Sequence, residues 1–326
     1  MAHAVTIATR NYDYLAPLAC GDVGVEGVDL TLIRDNGTAL ERVSADAAVH
    51  GGEFSFSRYI GRVAAGDRRW VGIPFFVLRA FRQRSFFVRR DSGLHQFADL
   101  AGKRVGANEW GASGSTWARA VLRDAGLRVE DIAWWVGSVD GVLPDKPTEA
   151  LPPRVRRVPA GRTLQDMLLD GELDAVMCPQ PPRRFHEPNG PIVRLARDFR
   201  EAEQAYFRRT GIFPPQHLIV IRREAHNAAP WVARRLYAAL EESKRAWQRD
   251  RRRLTDAFPW TLAEIEETAV LMGEDWLPNG LEANRTAIQA FVDEQVAQGL
   301  IDTRVSADAL FADFSAAASG GEGDDA

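Results

Sequence analysis

Cysteine is nearly absent: the 326-residue chain holds two, Cys20 and Cys178, with neither CxxC spacing nor a paired histidine motif. A disulfide framework and a structural zinc site are therefore not expected, and both thiols read as small core residues. Nor is there a run of about 18 apolar residues, so no membrane span is expected. The first strand-like piece, AVTIATR, begins within three residues of Met1, without a basic n-region, an apolar h-region or a small-residue cleavage site. The expected address is the cytoplasm. No Walker loop and no GxGxxG stands in a strand-to-helix context, which argues against nucleotide and dinucleotide cofactors. Positive charge is not in excess either: a formal net charge of −4 gives no general attraction to nucleic acid or an anionic membrane, so any anion must be drawn by local basic groups.

What is present is ordinary globular material, 45% hydrophobic and 26% charged, in a chain long enough for two lobes. The N-terminal section alternates strand-like and helix-like pieces: VTIATR, VDLTLIR, a small-residue strand near AAVHGG, a helix around Ser57 to Ala65, then WVGIPFFV. Such alternation predicts an α/β layer architecture with a mostly parallel sheet. The pattern restarts with SFFVRR, the short helix FADLAG, the strand KRVGANE, a helix, and the strand IAWWVG. The Pro-rich VLPDKPTEALPPRVRRVP is expected to be a surface loop, because prolines remove ladder donors. RTLQDMLLDGELDAVMC reads as helix, glycine stop and strand, with Leu164, Met167, Leu168 and Leu169 on the apolar side. After the strand HLIVIRR the chain turns strongly helical, and SGGEGDDA reads as a solvated acidic tail.

Two apolar strands, Ser85 to Arg90 and His217 to Arg222, stand where the lobes change. They predict two lobes connected twice: residues 1–86 and 218–318 in the first, 87–217 in the second, and 319–326 as the tail. Ligands of such folds are expected in the cleft between lobes. The stretch GKRVGANEWGASGSTWARAVL belongs on its wall, because a small-residue loop entering a helix presents unpaired N–H groups and the positive dipole end to an anion.

VEGVDLTL, IPFFVLRAFRQRSFFVRR, DLAGKRVGANEW with Trp117 and Arg119, GRTLQDMLLDGELDA, RTGIFPPQHLIVIRRE with PWVARRLY, and GLEANR together carry a resemblance over nearly the whole chain. The chain resembles 4,5-dihydroxyphthalate decarboxylases, which look like type 2 periplasmic binding proteins turned to catalysis. The resemblance implies a two-lobed fold and loss of carbon dioxide from a hydroxylated aromatic acid, 4,5-dihydroxyphthalate giving 3,4-dihydroxybenzoate. It also implies homo-oligomerisation. Departures from the family pattern fall at His50, Gly51 and Gly52 before Glu53, at Trp110, Ala112 and Ser113, at Pro215 and Gln216, and at Asn279.

An aryl carboxylate that simply lost carbon dioxide would leave its electrons in an sp2 orbital outside the π system. Protonating the ipso carbon first avoids this, with a para or ortho hydroxyl feeding electrons into the ring. The site then needs an acid, a base and a clamp. His217, between FPPQ and LIVI, is the expected acid/base group, its alternative being a structural histidine bonded to backbone. Arg79 and Arg82, flanking Phe81, are expected as carboxylate clamps, the alternative being solvated or ion-paired arginines. Arg162 is a further candidate because a cation at a helix start opposes the dipole; an inter-lobe ion pair is its other reading. Glu109 and Glu53 are candidate bases or partners that orient His217, against a hydrogen-bonding or capping role. Ser113, Ser115 and Thr116 are expected to cap the helix and to hold a ligand carboxylate with it. Trp110, Phe81 and Trp276 are candidates to sandwich the ring, although aromatics are more often core.

No cofactor is expected. A divalent metal through His50 and Glu53, or through His186 and Glu187, remains a second possibility, although neither pair forms an HExxH-like arrangement. The expected partner is a small aromatic carboxylate, with no nucleic acid and no membrane. The competing function is a solute-binding or sensing protein of the same fold without chemistry.

Overall fold

The computed structural model describes residues 2–141, 151–253, 255 and 258–319. Its strands are β1 (His3–Thr9), β2 (Val28–Arg34), β3 (Gly51–Ser55), β4 (Trp70–Arg79), β5 (Phe86–Arg89), β6 (Arg104–Ala107), β7 (Ala133–Val136), β8 (Val155–Arg157), β9 (Ala175–Met177), β10 (Ile192–Arg194) and β11 (Pro215–Arg222). The helices are α1 (Ala16–Cys20), α2 (Ala39–Ala45), α3 (Phe56–Ala64), α4 (Ser113–Asp124), α5 (Leu164–Leu169), α6 (Phe199–Thr210), α7 (Arg223–Ala228), α8 (Trp231–Arg253), α9 (Thr261–Met272), α10 (Leu281–Ala297), α11 (Ala307–Leu310) and α12 (Ala312–Ser319). Two compact units result: residues 1–79, 215–292 and 301–326 make unit 1, and residues 80–214 with 293–300 make unit 2. The chain thus changes unit after Arg79 and before Pro215, where the sequence placed the changes after residues 86 and 217, and twice more on either side of residues 293–300, which the expectation of two crossings had left in the first lobe.

Unit 1 is built on a five-stranded sheet in the order β2-β1-β3-β11-β4. β2, β1 and β3 run parallel, as strands joined by helices do, and β11 is antiparallel to both β3 and β4. The sheet is therefore mixed: four of its five strands point one way, in keeping with a mostly parallel sheet, and β11 runs against them. The physical reason is that β11 enters straight from unit 2, with no crossover helix on this sheet to reverse the chain. Val5, Ile7, Ile73, Phe75, Val77, Ile219 and Ile221 face Val232, Leu236 and Leu240 on α8. The stripe at i, i+4 and i+8 makes α8 helical and lays it on the sheet, each fully buried aliphatic contributing roughly 1.5–3 kcal/mol.

Unit 2 carries a six-stranded sheet in the order β10-β5-β9-β6-β7-β8. The strand period of two is visible in β5, whose Phe86 and Val88 join one buried cluster with Val105, Val121, Leu122 and Trp134 while Phe87 joins the other with Leu164, Met167, Leu168 and Val176. Thr163 caps α5, its hydroxyl accepting from the Asp166 amide at 3.1 Å. Within the Pro-rich segment, residues 142–150 lie outside the described part. Val155–Arg157, expected as loop, instead forms the edge strand β8, with Val155 opposite Trp134. An edge position tolerates the flanking prolines. Of the expected acidic tail, residues 320–326 lie outside the described part.

Candidate functional site

Glu53 sits in the middle of β3, a strand buried at all five positions between β1 and β11. Two glycines before it are required by close approach. A Cβ at Gly51 would stand 2.2 Å from the Val220 carbonyl oxygen, and one at Gly52, whose φ is +147°, would stand 2.0 Å from that of Ala8. Across the strands Glu53 pairs with Ile219, and His217 lies two residues earlier on the same face of β11, within diagonal reach. The pairing of β11 with β4 is irregular on both sides of His217, a distortion of the kind that re-aims a side chain.

The result is a histidine–carboxylate pair: Nδ1 of His217 lies 2.5 Å from Oε1 of Glu53. The same oxygen accepts from the Tyr12 hydroxyl at 2.7 Å, and Oε2 accepts from the Arg10 amide at 2.9 Å. The Arg10 side chain stands 3.8 Å from Oε1. Burial pushes the Glu53 carboxyl up, but His217, the Arg10 amide and the Tyr12 hydroxyl outweigh it and hold the group below its ordinary value. With Nδ1 turned to the carboxylate, Nε2 is the ring nitrogen that faces away from it. The Glu53 side chain is fully buried, while that of His217 keeps 13% exposure.

Arg79 ends β4 opposite Pro215. Its Nη2 donates to the Pro278 carbonyl and to Asn284 Oδ1, both at 2.6 Å, and its guanidinium lies 5.0 Å from the Phe76 ring centre. Burial lowers its pKa to about 10, so it remains a cation at neutral pH. Tyr14 links Arg79 electrostatically to the pair: burial and then the charge of Glu53 raise its phenol, and Arg79 acts the other way. Tyr14 stacks on Tyr12 at 5.4 Å and donates to the Val77 carbonyl. Asn279 accepts from the Phe76 amide and donates to Glu241, fixing the loop that supplies Pro278.

In unit 2 the guanidinium of Arg82 rests on the first turn of α4, where a Cβ at Gly114 would stand 2.8 Å from its Nη2. Burial lowers the Arg82 pKa to about 10. The helix has Ala112 at its N-cap and no side-chain cap, which corrects the expected capping by Ser113, Ser115 and Thr116. Those three lie inside the helix, and the Thr116 hydroxyl donates back to the Ala112 carbonyl at 3.1 Å. Glu109 is half-buried on the turn between β6 and α4.

The structure gives the expected ring-stacking residues and Arg162 other work. Trp110 is buried with the Arg119 guanidinium 4.0 Å from its ring centre and Trp134 edge-on at 5.5 Å. Phe81 packs among Phe213, Tyr206 and Phe207. Trp276, in unit 1, borders a cavity of about 560 Å³ with Arg245 and Arg249 on α8. Arg162 pairs with Asp170 at 2.8 Å and Glu172 at 2.9 Å within unit 2. His50 Nδ1 accepts from the Thr6 amide, and Glu187 pairs with Arg184. Among the described residues no group of three or more His, Cys, Asp and Glu side chains gathers.

Sequence reasoning missed Arg10, Tyr12, Tyr14 and Asn284. Arg10 and Tyr12 follow the C-terminal end of β1, the end of parallel strands at which α/β proteins gather their ligand groups. That position was the available signal.

No family model matches the chain. It is 33% identical over 316 residues to a 4,5-dihydroxyphthalate decarboxylase of Comamonas testosteroni, covering 94% of this chain and 96% of the relative. A 4,5-dihydroxyphthalate decarboxylase of Pseudomonas putida is 32% identical over 212 residues, 63% of this chain and 81% of the relative. Among solved structures, the periplasmic aliphatic sulphonate binding protein SsuA from Escherichia coli superposes with a TM-score of 0.56 at 15% identity, over 95% of this chain and all of that one. This likeness shows the periplasmic-binding-protein fold.

Proposed function

The chain belongs to the 4,5-dihydroxyphthalate decarboxylase family, and from that premise we propose that it is a carboxy-lyase whose proton donor is His217 held by Glu53. The substrate in this reading is 4,5-dihydroxyphthalate, converted to 3,4-dihydroxybenzoate and carbon dioxide. The observation that carries the chemistry is the 2.5 Å contact between His217 Nδ1 and Glu53 Oε1 on a buried strand pair.

Each ring carbon that bears a carboxylate in this substrate has a hydroxyl para to it. Loss of the hydroxyl proton pushes electrons to the ipso carbon, which takes a proton from Nε2 of the His217 imidazolium. The carbon–carboxylate bond then breaks, its electron pair restores aromaticity, and carbon dioxide departs. The ring has gained one proton and lost one carboxylate, so His217 must be reprotonated in each turnover. Glu53 favours that reprotonation, because an ionised carboxylate on Nδ1 stabilises the imidazolium. Positioned acid–base groups of this kind contribute about 10²- to 10⁴-fold in rate.

Arg79 is the proposed carboxylate clamp in unit 1: a guanidinium whose Nη2 is anchored by Pro278 and Asn284 keeps a fixed plane, as directed binding of a carboxylate requires. Within unit 2, Arg82 and the first turn of α4 have the chemistry to hold a carboxylate, and Glu109 has that of a proton acceptor. A cytoplasmic location belongs to the same reading and is supported by the free thiols of Cys20 and Cys178. Among the described residues no helix is long and apolar enough to cross a membrane. The non-catalytic binder rests only on likeness of fold, whereas relatives at a third identity bear an enzyme's name.

The test is incubation of the purified protein with 4,5-dihydroxyphthalate, following carbon dioxide and 3,4-dihydroxybenzoate by mass spectrometry. Stoichiometric release of both is expected. Unchanged phthalate, with or without added divalent metal, overturns the reading.

A further inference from the structure

We propose that Tyr12 is a positioning residue that tunes the proton affinity of His217 by sharing Oε1 of Glu53 with it. The proposal rests on the reading of Glu53 and His217 as the acid–base pair.

A carboxylate oxygen that already accepts a phenol proton has less negative charge to offer a second donor. Oε1 of Glu53 accepts from Tyr12 at 2.7 Å and from His217 at 2.5 Å, so the two donors compete for one atom. Oε2 is occupied by the Arg10 amide, a backbone donor that no side-chain change removes. Tyr12 cannot take over as the proton carrier, because burial and the adjacent Glu53 charge push its phenol far above its ordinary value and keep it protonated. It is held in place by stacking on Tyr14, whose hydroxyl is tied to the Val77 carbonyl on β4. The charged and titratable groups around the pair include Arg10, Tyr12 and Tyr14 beyond β1, Glu53 on β3, His217 on β11 and Arg79 on β4. Unlike His217, Tyr12 donates to Oε1 without ever carrying a charge of its own. Its effect has a definite sign: the phenol stabilises ionised Glu53 without adding charge, and so weakens the hold of Glu53 on a protonated imidazole. The family reaction gives this a purpose, since an acid that must release its proton to carbon cannot be held too tightly.

The experiment is a titration of the His217 ring by NMR in the ligand-free protein, wild type against Tyr12→Phe, with the pH profile of kcat/KM measured beside it. Removing the phenol should raise the His217 titration by about one pH unit, roughly tenfold in proton affinity, and move the matching limb of the profile in the same direction. A titration unmoved or lowered in a folded Tyr12→Phe protein overturns the proposal. If Tyr12→Phe does not fold, 3-fluorotyrosine incorporated at this position serves instead. A more acidic phenol donates more strongly and should lower the His217 titration; no change, or a rise, again overturns it. The ring titration does not depend on turnover. Failure to release carbon dioxide from the phthalate would therefore sink the decarboxylase reading and leave this measurement intact.

Discussion

His217 and Glu53 lie 164 positions apart in sequence, yet Nδ1 of one is 2.5 Å from Oε1 of the other. The relationship is made by sheet register. β11 is inserted antiparallel between β3 and β4, Ile219 faces Glu53, and His217 follows on the same face. A one-residue slip of β11 would turn His217 to the opposite face, so the buried flanks of both strands hold the pair together.

His217→Gln keeps a polar side chain of similar reach but cannot donate a proton to carbon. Turnover of 4,5-dihydroxyphthalate should fall by about 10²- to 10⁴-fold, while the affinity for the aromatic acid, measured by calorimetry, should change little. Parallel loss of both would assign His217 to binding.

Glu53 gives a prediction in pH. Its carboxyl is held below the ordinary value of 4.5 in the folded protein, so its contribution to stability is fully present above about that pH and is lost as pH falls through the lower, folded value. Glu53→Gln removes this dependence. The variant should be less stable at pH 7 by about 3 kcal/mol, because a fully buried carboxylate with three donors has been replaced, and its stability should fall less steeply below pH 4.5. Urea unfolding across pH 3–7 reads both. Parallel acid limbs in the two proteins would show that Glu53 is not the group lost.

Much of the architecture was legible because it rests on local pattern: the apolar strand of β5, the helix, glycine stop and strand of α5 and β9, and the helical run after β11 each follow from a few consecutive residues. The direction of β11 was not, since an apolar strand reads the same whichever way it enters a sheet. At the site, Glu53 and Glu109 could both be named as partners that orient His217, but the strand register that brings Glu53 to it could not be read, because register is written in neither strand alone. Arg10 and Tyr12 carry no motif and are recruited only by following β1. The aromatics misled for a physical reason. Trp110 and Phe81 are large enough to fill a core, and burying one is worth more than leaving it open for a ligand.

Arg79 should be separable from the proton chemistry. Arg79→Gln retains an amide near Pro278 and Asn284 but loses the cation. If the guanidinium binds a substrate carboxylate, affinity should drop by roughly 1.5–3 kcal/mol, about ten- to a hundredfold in the dissociation constant. Measuring this in the His217→Gln background avoids turnover. Equal affinities with and without the substitution would remove Arg79 from the site and leave it a brace for the Leu277–Gly280 loop.

Arg119 falls within one of the segments that carry the family resemblance, yet its contacts are those of a structural residue. It is buried in unit 2, stacks on Trp110, donates from Nη2 to the Trp110 carbonyl at 2.9 Å and from Nε to Gln298 Oε1 at 2.7 Å. Gln298 in turn donates to the Thr116 carbonyl, so the arginine ties α4 to the segment 293–300 that unit 2 takes from the end of the chain. Arg119→Met keeps the volume and removes the donors and the charge over the indole. The expected outcome is a loss of roughly 2–3 kcal/mol in stability, with faster amide exchange in α4. Below the unfolding transition, kcat and KM should stay near those of the wild type. A variant that is as stable as the wild type but binds the aromatic acid weakly would move Arg119 from the frame of unit 2 to its ligand.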